Sequence, residues 1–235
     1  MIETSDHPWL SSVAELTSGL PGLSLLTARY EVEAFEPGLF ARCDLCLPAK
    51  LQTANPRRQA EFLAGRALAA LVLARIGLPT DVPIGRDRLP QWPKGIRGSI
   101  SHARGHVACL LGANTGLHPG VDIETRASDQ ALTALRRHAL TNSDRVLLEG
   151  RDAEVTAVFS AKESLFKALF PQVGQSFGFD AVELCDLPGK EGIALRLTRD
   201  LAGGFARGTC FALKRHSLPE RELTWFAVES FSPVG

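Results

Sequence analysis

The stretch Val158-Phe-Ser-Ala-Lys-Glu-Ser-Leu-Phe-Lys-Ala-Leu169 decides how the rest of the chain is read. Apolar residues recur at Val155, Val158, Phe159, Leu165, Phe166 and Leu169. That is the stripe of an amphipathic helix, to which Ala161, Ala168 and Leu165 add propensity. Two features depart from a plain core helix. Lys162 stands in the middle of the stripe, and Ser160, Glu163 and Lys167 line one flank, so that a carboxylate and an ammonium meet one turn apart. Alone, the segment is equally a surface helix with a Glu–Lys pair worth only about 0.3 kcal/mol and a snorkelling Lys162. Its neighbours decide between the two.

Immediately upstream, Gly120-Val-Asp-Ile-Glu124 alternates apolar and acidic residues. It reads as a strand with one buried face and one wet face, with Asp122 and Glu124 together on the wet face, roughly 6.5–7 Å apart. Residues 127–150 between strand and helix are helical, with a break near Thr141-Asn-Ser143 and basic residues Arg136, Arg137, His138 and Arg145. Downstream of the Gly- and Phe-rich loop 174–179, strand-like runs at 181–187, 192–197, 209–214 and 222–230 form an antiparallel meander.

Asp122, Glu124 and Glu163 thus offer three carboxylates from one strand and one helix. Such hard oxygen ligands suit Mg²⁺, with Mn²⁺ as a substitute, and this cation takes its remaining ligands from water and a substrate phosphate. No Walker A loop and no G-x-G-x-x-G is present. Carboxylates, a cation and surrounding basic side chains point to phosphoryl-type transfer by positioning and charge neutralisation.

The N-terminal half is less regular. Residues 23–35 read as strand, whereas residues 1–22 carry no usable pattern. Cys43-x-x-Cys46 lacks the two further ligands of a zinc site and, with Pro48 following, the helix of a redox motif. Asn55-Pro56 opens a helix through Ile76, ended by Gly77. Arg57, Arg58 and Arg66 lie off its Ala- and Leu-rich side. A Pro/Gly/Arg loop over 78–95 carries Arg86, Arg88 and Lys94, and Gly98-Ser-Ile-Ser-His102 follows. No G-x-S-x-G elbow surrounds Ser99 or Ser101, so a hydrolase triad is excluded. Each half holds strands and one Ala-rich helix bearing a glutamate near basic residues, Glu61 and Glu163. This hints at two similar α+β halves.

Lys and Arg total 26, as do Asp and Glu. That balance argues against avid nucleic-acid or anionic-membrane binding. Five scattered cysteines do not form a secreted disulfide framework. The first residues lack a basic region followed by an apolar run, so neither a signal peptide nor a spanning helix is expected and the cytoplasm is the expected compartment.

Gly120–Glu124 and Phe159-Ser-Ala-Lys-Glu-Ser-Leu-Phe-Lys167 resemble the two signature motifs of the Sfp-type 4′-phosphopantetheinyl transferases. Gly98–His102 resembles a third motif, and Leu89-Pro-Gln-Trp-Pro93 the loop before it. Arg57-Arg-Gln-Ala-Glu-Phe-Leu-Ala-Gly-Arg66 is similar to the helix of the enterobactin-synthase branch. These stretches follow the family's order over residues 55–170. Phe159 replaces a frequent Trp, and Ala103-Arg104 departs from the small polar or Cys residue usual after the histidine, leaving Arg104 without a role.

The resemblance implies an α+β pseudo-dimer of two similar halves, 1–118 and 119–235, each an antiparallel sheet with a long helix packed on it. It implies transfer of the 4′-phosphopantetheine arm of coenzyme A to a serine of an apo acyl, aryl or peptidyl carrier protein, with release of 3′,5′-ADP, by a monomer. Asp122, Glu124 and Glu163 would hold Mg²⁺ on the coenzyme A pyrophosphate. Glu163 would be the general base, directly or through water, and Lys167 would neutralise the pyrophosphate or the departing phosphate. Ser101, His102, Arg58 and Arg66 would bind the coenzyme A phosphates. Arg86 or Arg88 would lie on the phosphate or adenine side, and Lys162 at the phosphates or at a partner on the site's rim. A basic segment at Arg136, Arg137 and Arg145 would steer an acidic carrier. Two other readings compete: a DnaQ-like metal-dependent 3′–5′ exonuclease, suggested by Asp122-Ile-Glu124, and a module that binds coenzyme A without catalysis.

Overall fold

A computed structural model of the chain describes residues 9–85, 89–113 and 115–230. The chain divides into two compact units, Met1–Thr115 and Gly116–Gly235. Each is an antiparallel sheet with a long helix packed on it, and each has its own apolar core.

In unit 1, β1 (Leu10–Leu16) and β2 (Ser24–Tyr30) precede the short α1 (Leu39–Arg42), the long α2 (Pro56–Arg75), β3 (Ile96–Ala103) and β4 (His106–Ala113). The sheet order is β1-β2-β4-β3. Strand β1 falls in the stretch that gave no sequence pattern: its alternation is broken by a register shift between Ser11 and Ala14. The start of α2 follows the sequence signal, since the Asn55 side chain accepts from Arg58 N at 2.8 Å and Pro56 opens the helix.

Small residues set the distance between α2 and the sheet. A Cβ on Gly65 would lie 2.7 Å from Ile100 Cγ2, and one on Gly98 2.5 Å from the Trp92 ring. The helix therefore lies directly on β3, and the Leu89–Pro93 loop lies across the same strand. Arg104 also gains a role here. With Gly105 it forms the two-residue β3–β4 turn, both at positive φ (39° and 79°), the conformation of a type I′ hairpin turn. Cys43 is buried in this core, where burial pushes its thiol up, whereas Cys46 is exposed.

Unit 2 opens with β5 (Leu117–Thr125), followed by α3 (Asp129–His138), α4 (Asn142–Leu147) and α5 (Asp152–Val173). The meander β6 (Val182–Leu184), β7 (Gly192–Leu197), β8 (Cys210–Leu218) and β9 (Arg221–Glu229) completes it. The order is β5-β9-β8-β7-β6, with β5 at one end. Pro119 within β5 fits that place, because an edge strand can spare a ladder N–H. The break at 141–143 is a helix start: Thr141 and Asp144 form a reciprocal capping box at the head of α4.

Helix α5 packs on β5 and β9, and the contact is closest at Gly120. A Cβ there would lie 1.9 Å from Ser164 O and 2.8 Å from Ala168 N. At that one position no side chain fits between β5 and α5. The Ser160 hydroxyl meets Thr224 Oγ1 at 2.9 Å, and that of Ser164 meets the same atom at 2.8 Å, all buried. Gly120→Ala should accordingly destabilise unit 2 by at least about 3 kcal/mol, the upper range for overpacking, because backbone must move rather than a rotamer. Thermal unfolding checks this, and an unchanged melting temperature would contradict the packing described.

Candidate active site

The close approach at Gly120 brings two turns of α5 beside the acidic end of β5. Asp122 is 2% exposed. Its Oδ1 accepts from Lys167 Nζ at 2.7 Å, and the same ammonium donates to Val121 O at 3.1 Å. The expectation of a wet face is therefore corrected for Asp122, whereas Glu124 is only half-buried. Gly120, Asp122 and Glu124 face α5, and Val121 and Ile123 on the other face are buried too.

Glu163 is half-buried on α5, one turn from Lys167. Burial pushes its carboxyl above the ordinary carboxylate value, Lys167 pulls it down, and the charge of Asp122 pushes it up again. The three groups form one electrostatic unit. Glu124 is half-buried and pairs across the ladder with Glu222. Two facing carboxylates would repel, but Glu222 is held by Arg215 Nε at 3.0 Å, Ser217 Oγ at 2.7 Å and Arg126 Nη2 at 3.2 Å. Sequence reading missed this supporting set, since a glutamate near a strand end gives no sign that its carboxylate is fully buried.

Among the described residues, no three His, Cys, Asp or Glu side chains converge closely enough to enclose a metal ion. The donor set at Asp122, Glu124 and Glu163 is nevertheless all hard oxygen. An open array of that kind fits a cation that keeps waters and completes its shell with a substrate's phosphates, rather than one caged by protein.

Lys162 is the clearest correction. Expected at phosphates or at a rim, it is 2% exposed and its ammonium is spent inside the protein. Nζ donates to Asp144 Oδ2 at 2.6 Å, to Ala139 O at 2.9 Å and to Phe179 O at 3.3 Å. Asp144 also accepts from Thr141 N at 2.9 Å and Leu184 N at 2.7 Å. A lysine in an apolar stripe is stable here because a buried carboxylate and two carbonyls satisfy it. It ties α5 to the start of α4, to β6 and to the loop before β6.

The basic segment is likewise largely committed to the fold. Arg145 donates to the carbonyls of Arg136, Arg137 and Leu140, capping the end of α3. Arg136 pairs with Asp152 and bonds Leu148 O at 3.2 Å. Of the three arginines read as a steering surface, these two have structural partners.

In unit 1, a cleft of about 480 Å³ is lined by Lys50, Arg58, Glu61, Arg66, Ile100 and His102, among others. Period-2 alternation places His102 and Ile100 on the face of β3 toward α2. Arg58 Nη1 lies 3.0 Å from His102 Nε2. Arg66 is buried, its Nε donating to Val82 O and its guanidinium 4.5 Å from the Phe62 ring centroid. Burial lowers its pKa to about 10, which leaves it charged at neutral pH. Ser101, expected beside His102, is the neighbouring residue on the strand. It is buried on the opposite face and does not line the cleft. Lys50, which sequence reading passed over, does. Arg86 and Arg88 lie outside the described residues.

Two antiparallel sheets, each with a packed helix, carry a carboxylate–lysine array on one unit and a cationic cleft on the other, an arrangement suited to anionic substrates. Residues 47–112 match the 4′-phosphopantetheinyl transferase N-terminal domain, and residues 119–212 match the 4′-phosphopantetheinyl transferase superfamily. The chain belongs to that superfamily, and it is an enzyme that moves the 4′-phosphopantetheinyl group of coenzyme A to carrier proteins. It is 34% identical over 179 residues to enterobactin synthase component D of Salmonella typhi, covering 73% of this chain and 74% of that protein. Against the protein of the same name in Escherichia coli strain K12, identity is 36% over 150 residues, 61% of this chain and 71% of the relative. The 4′-phosphopantetheinyl transferase Svp of Streptomyces mobaraensis is 35% identical over 146 residues, 58% of each chain. These matches set aside the exonuclease reading of Asp122-Ile-Glu124.

Two measurements follow from this electrostatics. A carboxyl raised on folding adds stability only at low pH, and that contribution is lost as pH rises through its folded pKa. Ionised Glu163 therefore costs stability at neutral pH, and Glu163→Gln should raise the melting temperature there. The gain should vanish once pH falls below the ordinary value of 4.5. An equal or lower melting temperature at neutral pH would contradict the assignment. Asp144→Asn leaves Lys162 buried without a counter-charge, and denaturant unfolding should show a loss of about 3–5 kcal/mol.

Proposed function

We propose that Asp122, Glu124, Glu163 and Lys167 form the transfer site on unit 2, and that the unit 1 cleft takes the 3′-phosphate of coenzyme A. The observation that carries this reading is the ion pair of Lys167 with Asp122, set beside a Glu163 whose carboxyl is pushed up by burial and by Asp122. A candidate metal ligand, a lysine ammonium and a carboxyl pushed up by burial stand together where α5 covers the edge strand β5.

Asp122, Glu124 and Glu163 would hold Mg²⁺, or Mn²⁺ in its place, which when bound supplies positive charge to the coenzyme A diphosphate. The chain's own groups do the rest. Glu163 accepts the proton of the carrier serine hydroxyl, directly or through a water. A raised pKa makes it a better base than an ordinary carboxylate at the pH where it remains ionised. The serine oxygen forms a bond to the phosphorus bearing the pantetheine arm. The bond from that phosphorus to the bridging oxygen breaks, and 3′,5′-ADP departs with the electron pair. Lys167, on a flexible four-carbon stem, leaves Asp122 and neutralises charge on the diphosphate as it develops.

In the unit 1 cleft, Lys50, Arg58, Arg66 and His102 supply donors of the kind that recognise a phosphate monoester. Arg66 is pre-set by burial and by its stacking on Phe62. Lys162 is left out of the coenzyme A contacts and assigned to positioning. The likeness to enterobactin synthase component D supports an aryl or peptidyl carrier of a siderophore pathway as the first substrate to try. One chain carries both units, which suits a monomer. Among the described residues no helix is long and apolar enough to cross a membrane, and a cytoplasmic setting would give access to coenzyme A.

Incubation with coenzyme A, Mg²⁺ and a panel of apo carriers should add one phosphopantetheinyl group to at least one carrier, read by intact-protein mass spectrometry. Asp122→Asn should slow that reaction at least about a hundredfold while the fold persists. An unmodified panel would refute the carrier assignment, and wild-type turnover by Asp122→Asn would refute the site.

A further inference from the structure

The phosphate cleft of unit 1 contains a carboxylate. Glu61 lies on the same face of α2 as Arg57 and Arg58, and its side chain is 13% exposed. Its Oε1 accepts from Arg57 Nε at 3.1 Å, its Oε2 lies 3.5 Å from Arg58 Nη1, and the same Oε2 lies 3.7 Å from His102 Nδ1. A resident negative charge by itself opposes an anion in the cleft. The arrangement around His102 shows what it can do instead.

Arg58 Nη1 lies 3.0 Å from His102 Nε2. A guanidinium can only donate, so Nε2 accepts, and the single ring proton of a neutral imidazole then sits on Nδ1, toward Glu61. In this state the histidine has no proton to offer an anion in the cleft. A phosphate monoester dianion changes the competition: it outbids a neutral nitrogen for the Arg58 donors. Nε2, released, takes up one proton from solvent and donates it to a phosphate oxygen, while Nδ1–H faces the Glu61 carboxylate at ion-pair distance, 3.7 Å. The result is a carboxylate–imidazolium–phosphate chain, in which no bond to carbon or phosphorus changes.

We propose that Glu61 is a positioning residue that makes binding of the coenzyme A 3′-phosphate proton-coupled, by holding His102 ready to take up a proton as the phosphate arrives. Other groups line this environment. Arg57, Arg58 and Arg66 on α2 and Lys50 on the 49–51 turn oppose a charged imidazole, so a carboxylate partner is needed to offset them. The Tyr30 phenol on β2 feels the charges of Glu61, Arg57 and Arg58 and stays protonated because burial pushes it up. Val107, opposite His102 on β4, adds no charge, and His106 pairs with Ala103 on the other face of the hairpin.

This inference rests on the reading of the cleft as the 3′-phosphate site, and the experiment separates the two. Calorimetric titration of the full chain near neutral pH, with metal chelated, compares coenzyme A with dephospho-coenzyme A in buffers of differing ionisation enthalpy. For the wild type, the slope of observed heat against buffer enthalpy should show uptake of up to about one proton per coenzyme A and none for dephospho-coenzyme A. Glu61→Gln should still prefer coenzyme A to dephospho-coenzyme A, yet lose most of the slope and bind several-fold more weakly. His102→Gln should also lose the slope, with melting curves reporting that both variants fold. A wild-type preference for coenzyme A without any slope, or a slope unchanged in Glu61→Gln, overturns the role of Glu61. Equal affinity of the wild type for both ligands overturns the reading of the cleft itself, and the inference with it.

Discussion

Unit 2 depends on one close approach, the backbone of Gly120 against the carbonyl of Ser164, where a Cβ would meet oxygen at 1.9 Å. Direct backbone packing fixes the height of α5 above β5, and the buried hydroxyls of Ser160, Ser164 and Thr224 fix its rotation. With both set, Glu163 and Lys167 can only fall beside Asp122. Unit 1 uses the same device in reverse, with the small residue on the helix at Gly65 and the side chain on the strand at Ile100. His102 and Arg58 are brought to one cleft in that way.

The site built on this frame is electrostatically expensive by design. Burial and the charge of Asp122 raise the cost of ionising Glu163, and Lys167 relieves it only in part. A divalent cation bound with the diphosphate at the proposed site would offset the carboxylate charge that Lys167 leaves uncompensated. Lys162 shows the opposite solution. Its ammonium is fully buried and fully bonded, to Asp144 and two carbonyls, and so serves the fold rather than the ligand. Two lysines five residues apart on one helix thus occupy different faces of α5, Lys162 bonded inside the fold and Lys167 beside Asp122 at the proposed transfer site.

Much of this was legible in the sequence, for physical reasons. The caps at Asn55 and the periodicities of α2, α5 and the C-terminal meander are local signals, and the structure has those elements within a few residues. The carboxylates and Lys167 were legible because acidic alternation and a Glu–Lys turn are both visible in one dimension. What stayed hidden was tertiary. Nothing local distinguishes Lys162 bonded to Asp144 from a lysine reaching solvent. Arg145 reads as surface charge until the C-terminus of α3 is seen beneath it. Ser101 was grouped with His102 by adjacency, although alternation along β3 sends the two to opposite faces. Asp122 was assigned to a wet face because the helix that covers it lies thirty or more residues away in sequence.

In the proposed transfer site, Asp122 exchanges its Lys167 ion pair for a divalent cation when the diphosphate binds. Anomalous diffraction from crystals grown with coenzyme A and Mn²⁺ tests it most directly. The expected result is a metal peak in contact with oxygens of Asp122, Glu163 and the diphosphate, with the Lys167 ammonium moved from Asp122 Oδ1 to a phosphate oxygen. A metal bound elsewhere, with Lys167 still paired to Asp122, would contradict it.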